Sequence, residues 1–256
     1  MRTMNGSKYT IAVLAILLIA VTAFLFMSMR QPERIETNIT PPFSVGEKLL
    51  YDIKYENSSG SYFLYQLNLS VIDEEVVMGR ECFVLRGEYI VSGNSNNSLV
   101  FYSYVTTDNL TLMKTVITST SGNATLLFDH MNGKCTIMAY TEEGVKTQEL
   151  DITPDVQDSL SVLYYLRGLP LTTEYWCTFH QITGSGLELI KVEVSEDLKE
   201  VDVEAGGFTC YELTLSVGRG SMYIYISNTP AKLPVQVKIP VENGNHSWDL
   251  KSYTLS

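Results

Sequence analysis

The positions where this sequence could carry chemistry are three histidines, four cysteines and a handful of acids and arginines set among apolar neighbours. His130, His180 and His246 lie far apart, and a metal centre or a catalytic base needs partners grouped around it. No nearby ligand pattern supplies them, so all three read as structural. Cys82, Cys135, Cys177 and Cys210 are also widely spaced, whereas a zinc site needs close pairs. They read as candidate disulfide cysteines with the pairing open. No Gly-x-Ser-x-Gly elbow occurs; Gly184-Ser-Gly186 is a turn, and Gly218-Arg-Gly220 lacks the helix that a phosphate-binding loop needs. Asp155 and Asp158, three apart, could act as paired acids on a helix, but complementing the helix dipole explains them more simply. The expectation is a chain with no catalytic residues, no metal and no cofactor. Glu47 and Arg167 remain, each a charge inside a stretch otherwise devoted to packing. Arg167 continues the apolar stripe of its helix. It is expected to reach a carboxylate, with Glu47 the candidate, and so pin helix to first strand. The alternative is that Arg167 binds an anionic head group.

The elements that must position these residues are mostly strands. Leu49, Tyr51, Ile53 and Tyr55 alternate with Asp52, Lys54 and Glu56, the period-2 pattern of a half-buried strand. Phe63, Tyr65, Leu67, Leu69 and Val71 repeat it, with Asn68 on the polar side. Short strands follow around 82–92, 98–107, 110–120, 123–130, 134–141 and 144–151, separated by Gly/Asn turns. Thr153 as cap, Pro154 in the first turn and a stop at Gly168-Leu-Pro170 predict one helix over about 154–167, packing one side on the sheet. Strands resume to residue 255. The fold class expected is all-β, a mainly antiparallel and strongly curved sheet or half-barrel with one packed helix. Gly79-x-x-Cys82-Phe-x-Leu85 and Gly207-x-x-Cys210-Tyr-x-Leu213 echo each other, which common strand grammar explains better than duplication.

The amino terminus speaks to location. Ile11 to Met29 is apolar apart from Thr22 and Ser28, close to the length that spans a hydrocarbon core and longer than the apolar region of a cleaved signal. The predicted organisation is a cytoplasmic tail over 1–10, a transmembrane anchor over 11–29, a stalk over 30–42 and an extracytoplasmic β domain over 43–256. Sequons at Asn38, Asn57, Asn68, Asn96, Asn109, Asn123 and Asn245 all follow the anchor and mark candidate glycosylation sites on an exported domain. The net charge of −11 excludes nucleic acid as a partner, because a phosphate binder needs a basic face.

Four stretches resemble the domain-of-unknown-function 3108 family. They are Phe43-Ser-Val-Gly-Glu47-Lys-Leu-Leu-Tyr51, Asp158-Ser-Leu-Ser-Val-Leu-Tyr164-Tyr-Leu-Arg167-Gly-Leu-Pro170, Val203-Glu-Ala-Gly206-Gly-Phe208-Thr-Cys210, and Tyr225-Ile-Ser227-Asn-Thr-Pro-Ala-Lys-Leu233-Pro234-Val235. The resemblance implies an exported envelope protein with a strongly curved antiparallel sheet, similar to the open half-barrel of periplasmic lipoprotein carriers. It implies no activity and no catalytic residues. The anchor, the sequon load and the four cysteines depart from many relatives and suggest an archaeal cell surface. The function expected is a membrane-anchored, noncatalytic binding module whose concave face holds a hydrophobic ligand, a lipid or a lipidated partner. The alternative is a structural or interaction protein of the cell envelope with a filled core.

Overall fold

The computed structural model describes residues 39–90, 99–120, 122–142, 144–218 and 220–256. The apolar run over 11–29 lies outside them, as do Asn38, Asn96 and the turn predicted between the strands around 82–92 and 98–107. No helix among the described residues is long and apolar enough to cross a membrane.

Among the described residues, alternation of apolar and polar residues builds sixteen strands, and one short helix accompanies them. The first half is a meander: β1 (Lys48–Asn57), β2 (Gly60–Val77), β3 (Arg80–Ile90), β4 (Leu99–Thr106), β5 (Leu112–Ser119), β6 (Gly122–Asp129), β7 (Lys134–Thr141) and β8 (Gly144–Asp151). A two-residue strand β9 (Val156–Gln157) and helix α1 (Ser161–Gly168) follow. The second half comprises β10 (Trp176–Thr183), β11 (Gly186–Val194), β12 (Lys199–Val203), β13 (Gly206–Val217), β14 (Gly220–Ser227), β15 (Pro234–Val241) and β16 (Gly244–Thr254). The halves join through antiparallel pairing of β1 with β16, so the path runs from β8 through β1 and β16 to β9, with β12 attached to β13. At Met78-Gly79 the two-residue turn between β2 and β3 needs positive φ at both positions, +50° and +79°, as a type I′ hairpin does.

The main buried core draws residues from strands along almost the whole path, including Leu69, Leu85, Phe128 and Cys135 on one arm and Val237, Leu213, Val192 and Phe179 on the other. A flat sheet could not bring these together; the sheet therefore curls around them, with β8 and β9 left as its open edges. The side chains of α1 fill the hollow at the end where β1 begins, here termed the lower end. Leu160, just ahead of the helix, and Leu163, Tyr164 and Leu166 within it all join the core. Gly87 of β3 leaves space for Leu160, whose Cδ1 would stand 3.4 Å from a Cβ added there.

Three expectations are corrected. The helix begins at Ser161, not near 154, because Val156-Gln157 pairs with His180-Gln181, the one parallel pairing among the described residues. Thr153 caps nothing, and its buried hydroxyl has no partner among the described residues. The helix is also buried nearly all round instead of on one side, because it sits inside the curl of the sheet. Finally, Cys82, Cys135, Cys177 and Cys210 are free thiols. They occupy β3, β7, β10 and β13, no two of which are neighbours, so no ladder brings a pair into register. The two Gly-x-x-Cys segments differ as well: Cys210 lies in the main core, while Cys82 sits in a smaller cluster with Val77, Val84, Tyr104 and Met113.

Candidate functional site

At the lower end the start of β1, the last turn of α1 and the loop between β14 and β15 converge on Arg167. Its Nη1 and Nη2 donate to Glu47 Oε1 and Oε2 at 2.6 and 2.7 Å, and Nη2 also donates to the Ala231 carbonyl at 2.9 Å. The pair is shut away from solvent, with side-chain exposure of 0% for Arg167 and 1% for Glu47. Phe43 and Tyr164 present ring faces to the guanidinium at 5.1 and 5.4 Å and pack edge-on against each other. Burial pushes the Tyr51 and Tyr164 hydroxyls well above the usual tyrosine range, and the Arg167 charge offsets part of that rise. Both Glu47 oxygens are engaged by one fork, which is the geometry of a fastening. A groove of about 330 Å³ lined by Pro41, Pro42, Phe43 and Pro230 opens beside the pair, but no exposed guanidinium faces it to hold an anionic head group.

A second polar node holds the entry to the helix. Asp158 is buried and accepts from the Ser103 and Thr115 hydroxyls at 2.6 and 2.5 Å, and from the backbone N–H groups of Leu160 and Ser161 at 3.0 and 2.7 Å. Ser161 Oγ accepts in return from the Asp158 N–H at 2.9 Å. This reciprocal Asp-x-x-Ser closure has the hydrogen-bond pattern of a capping box and ties off the turn that leads into the helix, and the spacing was visible in the sequence. The first turn of the helix is thus fixed to β4 and β5. Asp155 pairs with His180 Nδ1 at 3.1 Å, so the two aspartates serve separate contacts and form no acid pair. His130 Nε2 contacts the Leu112 carbonyl at 2.7 Å, and His246 packs its ring against Tyr55. No group of metal ligands forms among the described residues. Burial raises the thiols of Cys82, Cys135 and Cys177 to about 11 and that of Cys210 to about 12, which keeps them protonated and unreactive near neutral pH.

One pleat beyond Ser103 and Thr115, on the same face of the sheet, an apolar belt crosses the hollow. Val237, Trp248, Ile53 and Tyr65 stand directly opposite one another across β15, β16, β1 and β2. The Tyr65, Tyr89 and Phe101 rings continue the row edge to face, with centroids 5.4 and 5.8 Å apart. Phe101 faces Ile117, which faces Ala124, which faces Ala139. Tyr65, Tyr89, Phe101 and Trp248 pack against the core yet remain half-exposed. Sequence alternation placed Tyr65 on the apolar face of its strand with Leu67 and Leu69. The particular row depends on strand register, which alternation does not specify.

The five sequon asparagines among the described residues fall at the end of β1 (Asn57), in mid-β2 (Asn68), in the β4–β5 turn (Asn109), in β6 (Asn123) and in β16 (Asn245).

A family model, described as protein of unknown function (DUF3108), matches residues 61–251. Among solved structures, a β-barrel-like protein of domain of unknown function DUF1849 from Brucella abortus aligns with a TM-score of 0.54 at 9% identity, over 84% of this chain and 99% of that one. A presumed exported protein with a YmcC-like fold from Bacteroides fragilis gives 0.37 at 11% identity, over 85% and 99% of the two chains. A presumed lipoprotein from Parabacteroides distasonis gives 0.35 at 10% identity, over 85% and 99%. The first shares the fold with this chain; the other two are too distant to add to that. No curated protein matches.

Proposed function

We propose, from the premise that this chain belongs to the DUF3108 family of proteins of unknown function, that it is a noncatalytic binding module on the outer side of the cell membrane, tethered by residues 11–29. Its ligand is the apolar part of a lipid or of a lipidated partner. The observation that carries this reading is the belt of Trp248, Tyr65, Tyr89 and Phe101, half-exposed on the concave face above the helix. Aromatic rings that pack on one side and remain open on the other offer apolar area at little cost in side-chain ordering. The capped start of α1, held at Asp158, forms the floor, so the lower end stays filled while the upper end receives the ligand.

The filling of the lower hollow favours a second reading, in which the sheet is a rigid envelope component that binds other proteins through its surface. Titration of the full chain with a fluorescent fatty-acid analogue separates the two. Saturable binding, accompanied by a change in Trp248 emission and weakened at least about tenfold by Phe101→Asp, supports the first, since a charge facing a buried acyl chain costs well over 1.4 kcal/mol. Uptake that does not saturate, or that Phe101→Asp leaves unchanged while the variant stays folded, would discard it in favour of the second.

A further inference from the structure

The sequons divide by the surroundings of two atoms, the asparagine amide nitrogen and the hydroxyl two residues on, both of which a transferase must reach. Asn109 is exposed in the turn between β4 and β5, and its Oδ1 accepts from Thr106 Oγ1 at 2.6 Å and from Thr111 Oγ1 at 2.6 Å. The hydroxyl of the sequon is therefore already set against the amide, and the carbonyl side is the anchored one. Asn57 ends β1 at a turn where its Oδ1 accepts from the Ser59 N–H at 2.8 Å, with Ser59 itself exposed. Asn123 is exposed on β6 beside Ala124, which packs inward, so the asparagine faces out; Thr125 is half-exposed.

Asn68 and Asn245 differ. Asn68 stands in mid-sheet between Leu50 and Glu88, and the hydroxyl residue of its sequon, Ser70, is only 4% exposed. Asn245 lies between Glu56 and Pro240, and Ser247 is 0% exposed, its hydroxyl donating to Asp249 Oδ1 at 2.7 Å. Asn123 is likewise paired on both sides, with Thr118 and Tyr140, but there the asparagine and its threonine already reach the surface, whereas the buried Ser70 and Ser247 could be reached only by breaking paired strands. Asn38 and Asn96 fall outside the described residues.

We propose that the folded domain accepts N-linked oligosaccharide at Asn57, Asn109 and Asn123, and that Asn68 and Asn245 stay bare. The donor is an oligosaccharide on a polyprenyl phosphate carrier. The amide Nδ2 attacks the anomeric carbon, forming the C–N bond as the anomeric C–O bond to phosphate breaks. The carrier phosphate departs with the electron pair, and the amide proton passes to a base of the transferase. Asn109 stands at a turn, Asn57 at a strand end and Asn123 on the outward face, so sugar there leaves the concave belt uncovered. Glycopeptide mapping by mass spectrometry, on the full chain isolated from the cells that make it, tests this. Sugar-bearing peptides at Asn57, Asn109 and Asn123, with unmodified peptides at Asn68 and Asn245, are expected. Unmodified peptide at any of the three, or sugar at Asn68 or Asn245, overturns the proposal. In a background carrying Asn38→Gln and Asn96→Gln, the triple variant Asn57→Gln, Asn109→Gln, Asn123→Gln should run as one sharp band in place of a heterogeneous one; residual heterogeneity removable by a glycosidase would equally overturn it.

Discussion

Arg167 shows how a single residue can be costly and necessary at once. A fully desolvated guanidinium is tolerated because Glu47 meets it with both oxygens and Ala231 supplies a third acceptor. Removing one partner strands the other charge, so Arg167→Ala should lower unfolding free energy by about 3–5 kcal/mol in urea denaturation. The double variant Glu47→Leu, Arg167→Met should lose clearly less, since it removes both charges and keeps the volume. Equal losses in the single and double variants would mean that packing, not charge, dominates the site. Asp249 offers a pH-dependent counterpart on the outer face. Burial alone would raise its carboxyl, but hydrogen bonds from Lys54, Gln236 and Ser247 more than offset this and hold it below the usual carboxylate value. A depressed carboxyl contributes stability above its unfolded pKa of about 3.9 and loses it as pH falls through the folded value. The stability gap between the parent chain and Asp249→Asn should therefore be widest near neutrality and close below about pH 4. Denaturation midpoints at stepped pH values check it, and a constant gap would contradict the linkage.

The elements are shaped by where backbone can approach backbone. Gly168 ends α1 where Ile39 and Leu110 press on it. An added Cβ would overlap Ile39 Cγ2 and stand 3.0 Å from Leu110 Cδ1. At Gly87 the nearest atoms are methyl groups of Leu160 and Leu69 at 3.4 Å, ordinary van der Waals contact. Gly168→Ala should thus destabilise by about 1–3 kcal/mol through overpacking, whereas Gly87→Ala should cost less than about 1 kcal/mol. Thermal melts of the two variants compare them directly; equal shifts would show that the helix end can move aside. Ile39 lies in the segment read from sequence as linker, yet it packs on the core, because a helix end lacking a side chain leaves a socket that only a neighbouring residue fills.

The two arms of the β domain are joined by its first and last strands. β1 and β16 pair from Lys48↔Thr254 to Glu56↔Asn245, with one register shift between Leu50 and Tyr51, so the two arms depend on one long-range ladder. Deleting residues 244–256 would leave β1 and β15 as bare edges and expose Tyr51, Ile53 and Val237. The truncated chain should be recovered as aggregate, while a deletion of the outer edge strand β8 over 144–151 should stay soluble; size-exclusion profiles decide it, and a monomeric 1–243 chain would refute the dependence. Long-range closure of this kind also predicts slow folding relative to a helical protein of the same length.

Much of this was legible in linear order. Alternation along Leu49–Tyr55 and Phe63–Val71 made strands unavoidable, turn residues set most of their limits, and the charges at Glu47 and Arg167 stood out because charge is expensive inside a packing stretch. The late start of α1 was not legible, since Val156-Gln157 is drawn into a parallel ladder with β10 that no local preference encodes. Nor were the free thiols, because spacing along the chain says nothing about which strands become neighbours. The aromatic belt and the sorting of sequons belong to the same class. Side-chain period is a property of each strand alone, whereas register, curvature and the filling of the hollow arise only when strands nearly 200 residues apart pair.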